Sequence, residues 1–206
     1  PGANGKVDRA YIDSIKSELE KFDMVVLQHE IPLETVHYVI EFCYEKGIKI
    51  VLNPAPAAAV PMEIIDKVTY VTPNEHEAVL IFGDELSTED LLRKYPEKLV
   101  ITQGSRGVST CLKDGQILNV PARKAQVVDT TGAGDTLNGA FSVQIAEGKA
   151  IEDALAYANV AASLSTEKFG AQTGMPTAEE VETALKILNG ESVEKEIPVE
   201  MELITK

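Results

Sequence analysis

The sequence contains few cysteines, few basic residues and no long apolar run, and each shortage excludes a class of protein. Cys43 and Cys111 lie far apart without a CxxC pair, so we expect two reduced thiols and no disulfide framework. The 33 Asp and Glu residues outnumber the 19 Lys and Arg residues, and the net charge of -14 opposes nucleic-acid binding. Because no apolar run is long enough to cross a membrane and no signal-peptide pattern opens the chain, we expect a cytoplasmic protein with no membrane partner.

Several familiar catalytic patterns are also missing. The chain has no GxxxxGK[ST] phosphate loop and no GxGxxG dinucleotide fingerprint. It has no GxSxG nucleophile elbow, and His29, His37 and His76 lack the spacing of metal ligands. Any phosphate site must therefore be built locally from backbone amides, a cation or a few basic side chains.

Helical and strand patterns alternate along most of the 206 residues. This order is typical of one α/β domain, which we assign to residues 1–190, with a mostly parallel sheet covered by helices on both faces. The apolar spacing predicts helices over residues 8–21, 33–46, 74–83, 87–95, 136–146, 151–165 and 177–188. It predicts strands over residues 24–28, 48–52, 67–71, 99–102 and 127–128, and a hairpin with strands over residues 108–112 and 116–120.

Residues 191–206 form a separate carboxy-terminal tail in this interpretation. Apolar residues alternate along the tail, but Pro198 would restrict any strand there to the edge of a sheet. An edge strand and a loose end both remain open.

The stretch of residues 129–141 joins a predicted strand to a predicted helix through a turn that contains Gly132 and Gly134. These glycines let a ligand approach the main chain closely, and free amides at a helix start favour an anion such as phosphate. A carboxylate at Asp135 would repel that anion unless the carboxylate has a task such as accepting a proton. Asp129 or Asp135 is equally suited to cap a helix, so the turn alone leaves both interpretations open.

The ends of the predicted strands should meet along one edge of the sheet. Ligands of open α/β sheets collect beyond the carboxyl ends of the strands, so residues 29–30, 53–54 and 102–104 should lie near Asp135. At another strand end, Asn74 and Glu77 share a helix face and are suited to hold a hydrated Mg²⁺. The alternative for this pair is a helix cap and a surface charge.

Five motifs then point in one direction. Residues 129–141 resemble the carboxy-terminal signature of the PfkB, or ribokinase, family of sugar kinases. The companion motifs follow in the family's order, and the resemblance covers the chain to about Leu188, as the carboxy-terminal two thirds of the family's three-layer α/β/α fold. These companions are Asn53-Pro54-Ala55-Pro56-Ala57, Thr72-Pro73-Asn74-Glu75-His76-Glu77, Ile101-Thr102-Gln103-Gly104-Ser105-Arg106-Gly107 and Lys168-Phe169-Gly170-Ala171-Gln172. Residues 28–32 and 170–172 resemble the ribokinase branch more than fructokinases or adenosine kinases.

The resemblance implies ATP-dependent phosphorylation of the primary hydroxyl of a sugar, with ATP, Mg²⁺ and K⁺ as cofactors. The implied sugar is D-ribose, which gives ribose 5-phosphate, and another sugar such as fructose is the alternative. The implied roles are the base for Asp135, the anion hole for Gly132, Ala133 and Gly134, nucleotide contacts for Asn74, Thr102, Gly104 and Asn159, and a sugar contact for Glu30. Asn74 and Glu77 would hold Mg²⁺ through water, and Asp129, Thr131, Ser165, Lys168, Gly170 and Gly174 would surround K⁺. Without the resemblance, residues 170–176 are only a loop.

A complete family member has a further amino-terminal stretch with a glycine-glycine signature, most sugar contacts and a small lid sheet that pairs in the homodimer. None of these features is found in the sequence, so we expect a nucleotide-binding half that lacks the first strands and the lid. We expect either a fragment that is inactive alone or a chain completed by another polypeptide. The competing hypothesis is a non-catalytic nucleotide-binding or interaction module with the same fold.

Overall fold

The computed structural model describes residues 2–193, which form eight α-helices and six β-strands. The helices are α1 (Arg9–Leu19), α2 (Leu33–Lys46), α3 (Met62–Lys67), α4 (Glu75–Phe82), α5 (Thr88–Lys94), α6 (Ala133–Ala146), α7 (Ile151–Ser165) and α8 (Ala178–Leu188). The strands are β1 (Met24–Gln28), β2 (Lys49–Asn53), β3 (Tyr70–Val71), β4 (Val100–Thr102), β5 (Val108–Cys111) and β6 (Ile117–Val120).

The strands pair in two groups of three, one parallel and one antiparallel, which isolated bridges connect edge to edge. Strands β1, β2 and β3 pair in parallel, and the register places Gln28 opposite Asn53 at their carboxyl ends. Two isolated parallel bridges, Val71 with Leu99 and Asn74 with Thr102, join the region of β3 to that of β4. Strands β4, β5 and β6 then pair in antiparallel order, so the predicted hairpin is present. The predicted α/β class with a parallel sheet is confirmed.

Each face of the sheet supports its own apolar cluster. Ile50 and Leu52 of β2 pack into a cluster with helices α1 to α5, whereas Val51 packs into a second cluster with α6 and α7. Neighbouring residues of a strand point to opposite faces, so one short apolar strand supports both layers. The predicted helix-sheet-helix layering is therefore present.

Local chemistry sets most of the helix ends where the sequence predicts them. The Asp8 side chain accepts the N–H of Tyr11 at the start of α1. Gly47 closes α2 with a φ of 71°, a conformation that glycine adopts without steric cost. At the start of α8, Thr177 and Glu180 form the predicted capping box.

The prediction of a buried strand at Val127 and Val128 is wrong. These side chains are 63% and 61% exposed, and the segment belongs to none of the six strands. The N–H of Val128 donates to the carbonyl of Thr166, which lies just after α7 and not in a strand. Val127 and Val128 have no neighbouring strand to pair with in the described chain, so they remain on the surface.

The predicted strand over residues 67–71 is wrong in its first half. Lys67 is the last residue of α3, a helix that the sequence analysis missed, and only Tyr70 and Val71 pair with β2. The helix buries Ile64 and Ile65 beneath the sheet, and this tertiary packing outweighs the weak helix preference of isoleucine.

Three further expectations concern the whole chain. Cys43 and Cys111 are free and buried, and burial raises the pKa of the Cys43 thiol to about 11. Between residues 2 and 193, no helix combines the length and the hydropathy of a membrane span. Most of the tail, residues 194–206, lies outside the described residues, so its assignment stays a prediction.

We expect the Phe141→Ala variant to lower the free energy of unfolding by about 3–5 kcal/mol, because it leaves a cavity in a closely packed core. Phe141 is fully buried in α6 and contacts the edge of the Tyr70 ring at 5.1 Å between centroids. Val143→Ala in the same helix is the control, since Val143 is exposed and its loss should cost less than about 0.5 kcal/mol. Urea unfolding of both variants measures the difference, and equal losses would contradict this packing.

Candidate active site

Helix α6 begins directly after a glycine turn at the edge of the sheet. Gly132 is the residue before the helix and has a φ of 80°, which side chains rarely adopt. A methyl group at this position would also lie 3.0 Å from the Cβ atom of Ala171. Both the positive φ and the close approach of Ala171 therefore require glycine at this position.

The amides of this turn are only partly used by the protein. The N–H of Ala133 donates to the carbonyl of Thr130 at 3.2 Å. Within residues 2–193, the N–H groups of Gly132 and Gly134 have no hydrogen-bond acceptor. Two of the three amides predicted to bind an anion are thus free, and they lie at the positive end of the helix dipole.

Asp135 lies in the first turn of α6 and contacts the end of β1. Its Oδ1 atom accepts a hydrogen bond from Nε2 of Gln28 at 2.7 Å. The same Nε2 atom donates to Oδ1 of Asn53 at 3.3 Å, across the β1 and β2 pair. The first helical turn is therefore connected directly to the carboxyl end of β1 and, through Gln28, to that of β2.

A second chain of hydrogen bonds runs from β2 back to the same turn. Nδ2 of Asn53 donates to the carbonyl of Thr72 at 3.1 Å, and Oγ1 of Thr72 donates to Oδ1 of Asn138 at 2.6 Å. Nδ2 of Asn138 then donates to the carbonyl of Gly134 at 2.9 Å. Asn53, Thr72 and Asn138 are buried, so these bonds are shielded from water and fix the turn firmly against the sheet.

A cavity of about 670 Å³ opens beside this turn. Its walls include Ala133 and Gly134 of the turn, and Thr102, Gly104 and Asn159 from other parts of the chain. Three of the four residues predicted to bind a nucleotide therefore line one cavity together with Ala133 and Gly134, two of the three residues of the predicted anion hole. The fourth, Asn74, lies outside the cavity wall but pairs with Thr102 through a backbone bridge.

Asn159 supports the wall of this cavity from α7. The side chain is buried, and its Nδ2 atom donates to the carbonyls of Val120 at 3.2 Å and Pro121 at 2.7 Å. Asn159 therefore holds the segment that follows β6, and this segment leads into the cavity wall at Ala122 and Arg123.

Asn74 and Glu77 form a reciprocal capping box at the start of α4. The N–H of Asn74 donates to Oε2 of Glu77 at 2.8 Å, and the N–H of Glu77 donates to Oδ1 of Asn74 at 2.9 Å. The capping alternative is thus present, although Glu77 is buried and not a surface charge. Among the described residues, no cationic side chain pairs with this buried carboxylate, so a bound cation would compensate its charge.

Asp129 ties the glycine turn to the loop that follows α7. Its two carboxylate oxygens accept the N–H groups of Thr131 and Gly170, each at 2.9 Å. These hydrogen bonds, chiefly those from Thr131, hold the pKa of the Asp129 carboxyl below its usual range. The loop of residues 170–176 is therefore a fixed part of the site.

Backbone carbonyls converge within this loop. A methyl group at Gly174 would lie 2.6 Å from the carbonyl oxygen of Ser165 and 2.8 Å from that of Gly170. The carbonyl oxygen of Lys168 would be 3.5 Å away. A space bounded by several carbonyl oxygens is compatible with a cation that prefers oxygen ligands.

His29 and Glu30 directly follow β1, but one side chain is buried and the other is exposed. Glu30 is exposed and does not line the cavity described above. His29 is buried, its Nδ1 atom lies 3.2 Å from the carbonyl of Pro56, and its Nε2 atom has no partner within residues 2–193. Burial lowers the pKa of the His29 imidazole below its usual range, against the opposing effect of the Pro56 carbonyl.

Sequence reasoning gave no role to four residues that organise this site. Gln28, Asn53, Thr72 and Asn138 all stand in motifs that were recognised, but no task was assigned to their side chains. The signal that could have identified them is a polar side chain at the end of a buried apolar strand, because a buried polar group requires a hydrogen-bond partner. Their partners lie too far away in sequence for that signal to identify them.

The site and fold match one family of enzymes over most of the chain. The model of the family described as pfkB family carbohydrate kinase matches residues 1–178. The chain belongs to this family.

Two bacterial proteins that are similar in sequence to this chain are ribokinases. The chain is 51% identical to the ribokinase of Bacillus subtilis over 184 residues, and 47% identical to that of Lactococcus lactis over 189 residues. These alignments cover 89% and 91% of this chain but 62% of each relative. The chain thus spans about three fifths of the length of the curated relatives it matches.

Solved structures show the same relationship. The ribokinase of Thermotoga maritima is 35% identical with a TM-score of 0.78, over 89% of this chain and 63% of that one. The Arabidopsis thaliana ribokinase, solved with ribose and ATP, is 29% identical with a TM-score of 0.76, over 84% of this chain and 59% of that one.

We expect stability to fall below about pH 6.5 more steeply in the unsubstituted protein than in a His29→Gln variant. The pKa of His29 is lower in the fold than in the unfolded chain, so the unfolded chain binds the proton first as pH falls. The added slope is at most about 1.4 kcal/mol per pH unit between the two pKa values. His76→Gln changes an exposed histidine and is the control. Urea unfolding across this pH range checks the prediction, and identical slopes for all three proteins would contradict it.

Proposed function

We propose that this chain is the nucleotide-binding and catalytic part of an ATP-dependent sugar kinase that phosphorylates a primary hydroxyl, with D-ribose as its sugar. One observation carries the proposal: the cavity wall is formed by the same helical turn that carries Asp135 and the free amides. A nucleotide in the cavity would therefore direct its terminal phosphate towards that turn. The ribokinase relatives support ribose over another sugar.

Asp135 is the proposed base for the attacking hydroxyl. The hydroxyl proton passes to the Asp135 carboxylate while the sugar oxygen bonds to the γ-phosphorus of ATP. The bond from that phosphorus to the bridging oxygen of the β-phosphate breaks, and ADP leaves with the bonding electrons. Asp135 is exposed in this chain, which leaves it open to a sugar.

The glycine turn is the proposed anion hole for the transferring phosphoryl group. Negative charge spreads over the oxygens of that group in the transition state, so fixed donors directed at them lower the barrier. The free N–H groups of Gly132 and Gly134 are the available donors, and Ala133 joins them only if it releases Thr130. The buried hydrogen bonds to Gly134 and Asn138 hold these donors in place before the substrate arrives.

We assign the cofactors to the two sites whose chemistry fits them. Glu77 and Asn74 would hold Mg²⁺ through water, since a hydrated Mg²⁺ needs only one or two protein oxygens. When bound, Mg²⁺ would neutralise charge on the phosphates of ATP. The carbonyls of Ser165, Lys168 and Gly170 would hold K⁺ beside Gly174, close to the turn that Asp129 anchors. Thr131 would complete this K⁺ site, and Glu30 would contact the sugar.

We expect the Asp135→Asn variant to lose turnover by about 100- to 10,000-fold and to keep its affinity for ATP, because only the proton acceptor is removed. A coupled assay of ATP consumption measures turnover, and calorimetry measures ATP affinity. Ribose, fructose and adenosine are compared as acceptors, with ribose expected to be fastest.

Asp153→Asn is the matched control, since Asp153 is also exposed in the first turn of a helix, α7, away from the cavity wall. Full activity of the Asp135→Asn variant would contradict the role of the base. Faster turnover of fructose or adenosine would contradict the assignment of ribose.

We expect turnover to depend on K⁺ and to fall when a large organic cation such as tetramethylammonium replaces it. The Gly174→Ala variant should lose this dependence, because the new methyl group occupies the space between the carbonyls of Ser165 and Gly170. Gly139→Ala is the control, since a methyl group there meets no atom within 4 Å. Equal rates in both cations would argue against an ion at this loop.

A further inference from the structure

The side chain of Gln28 occupies an unusual place, between the carboxylate of Asp135 and the amide of Asn53. Its Nε2 atom has two N–H groups and donates both, at 2.7 Å to Oδ1 of Asp135 and at 3.3 Å to Oδ1 of Asn53. The two residues that it joins are not near neighbours in the sequence. Gln28 thus links a predicted catalytic side chain to the sheet.

The chemistry of the neighbours fixes which end of the Gln28 amide faces Asp135. An ionised carboxylate only accepts hydrogen bonds, so the nitrogen and not the oxygen must face it. Nδ2 of Asn53 donates to the carbonyl of Thr72, which leaves the oxygen of Asn53 for Gln28. Every donor in this row meets an acceptor, and reversing either amide would place two acceptors or two donors together.

The same row returns to the helix that carries Asp135. Thr72 donates to Asn138, and Asn138 donates to the carbonyl of Gly134, the residue before Asp135. Gln28 therefore holds the Asp135 side chain while Asn138 holds the preceding peptide. One bond therefore restrains the Asp135 carboxylate, and the bond from Thr72 to Asn138 ties the helix that carries Asp135 to the sheet.

We propose that Gln28 is a positioning residue for the reaction: it holds Oδ1 of Asp135, so that Oδ2 is the atom that accepts the proton of the attacking hydroxyl. This inference rests on the proposed function, since it specifies how the proposed base is oriented. Gln28 itself touches no reacting atom, and its amide neither gains nor loses a proton.

A Gln28→Leu variant removes the donor with little change in size. We expect turnover to fall about 10- to 100-fold, as for a misplaced catalytic group, while KM for ATP changes less than about twofold. Gln116→Leu is the matched control, since Gln116 is exposed in the turn of the β5–β6 hairpin, far from Asp135 in the fold. An equal fall in the control, or an unchanged rate in the Gln28→Leu variant, would overturn the proposal.

A Gln28→Glu variant separates positioning from a merely structural role. Near pH 8 the new carboxylate has no proton to donate and repels Asp135, whereas at lower pH its protonated form donates to Oδ1 again. We therefore expect its turnover, relative to the unsubstituted protein at the same pH, to rise as pH falls from about 8 to about 5.5. A ratio that does not change with pH would overturn the proposal, because lost packing alone has no such dependence.

The contact also has a readout that needs no turnover. In ¹H–¹⁵N spectra, the Gln28 side-chain amide is identified as the signal that the Gln28→Leu variant loses. This signal should move in the Asp135→Asn variant and stay in place in the Asp153→Asn variant. A signal that ignores the change at Asp135 would overturn the contact. If neither this chain nor a longer chain with the family's amino-terminal stretch turns over a sugar, the proposed function fails, and the amide signal then decides the Gln28 contact by itself.

Discussion

The hydrogen bonds between the strand ends and the first turn of α6 are the interactions on which the site depends. The N–H groups of Gly132 and Gly134 have no acceptor within the described residues, so these amides do not anchor the helix. Its anchors are instead the side chain of Asn138, which accepts a hydrogen bond from Thr72, and the carboxylate of Asp135, which accepts one from Gln28. Because Asn138, Thr72 and Asn53 are buried, water does not compete for these bonds. The proposed anion site thus keeps two free amides on a turn whose helix is fixed against the sheet.

The layered fold provides the frame for this arrangement. In β2, Ile50 and Leu52 pack against one helical layer and Val51 packs against the other, so a strand of five residues is fixed on both faces. Asn53, at the end of this strand, is therefore held in place. Its side-chain oxygen accepts a hydrogen bond from Gln28 and so orients that side chain. On the other side of the turn, Asp129 holds the loop at Gly170. The turn at Gly132 is therefore held by hydrogen bonds on both sides, from the ends of β1 and β2 and from the loop at Gly170.

The family match covers the residues of the candidate site, but the alignments with ribokinases cover only part of those relatives. The family match covers residues 1–178, which include every predicted site residue of the chain. The alignments cover about three fifths of the ribokinase relatives, so the sugar half of the reaction rests on the proposal. The cavity beside the glycine turn, the capping box of Glu77 and the carbonyl oxygens around Gly174 all belong to described residues.

The sequence was enough to predict most of the helices and strands in their order, the ends of most helices and the motifs of the site. These features depend on chemistry within a few residues, such as the Asp8 cap, the positive φ of Gly47 and the capping box of Thr177. The tertiary structure alone decided that Val127 and Val128 stay exposed, since a strand requires a neighbour to pair with. It alone brought Gln28 to Asp135 across 107 positions of sequence, because the pairing of β1 with β2 and the packing of α6 against both place the two side chains together. No local pattern encodes such a meeting.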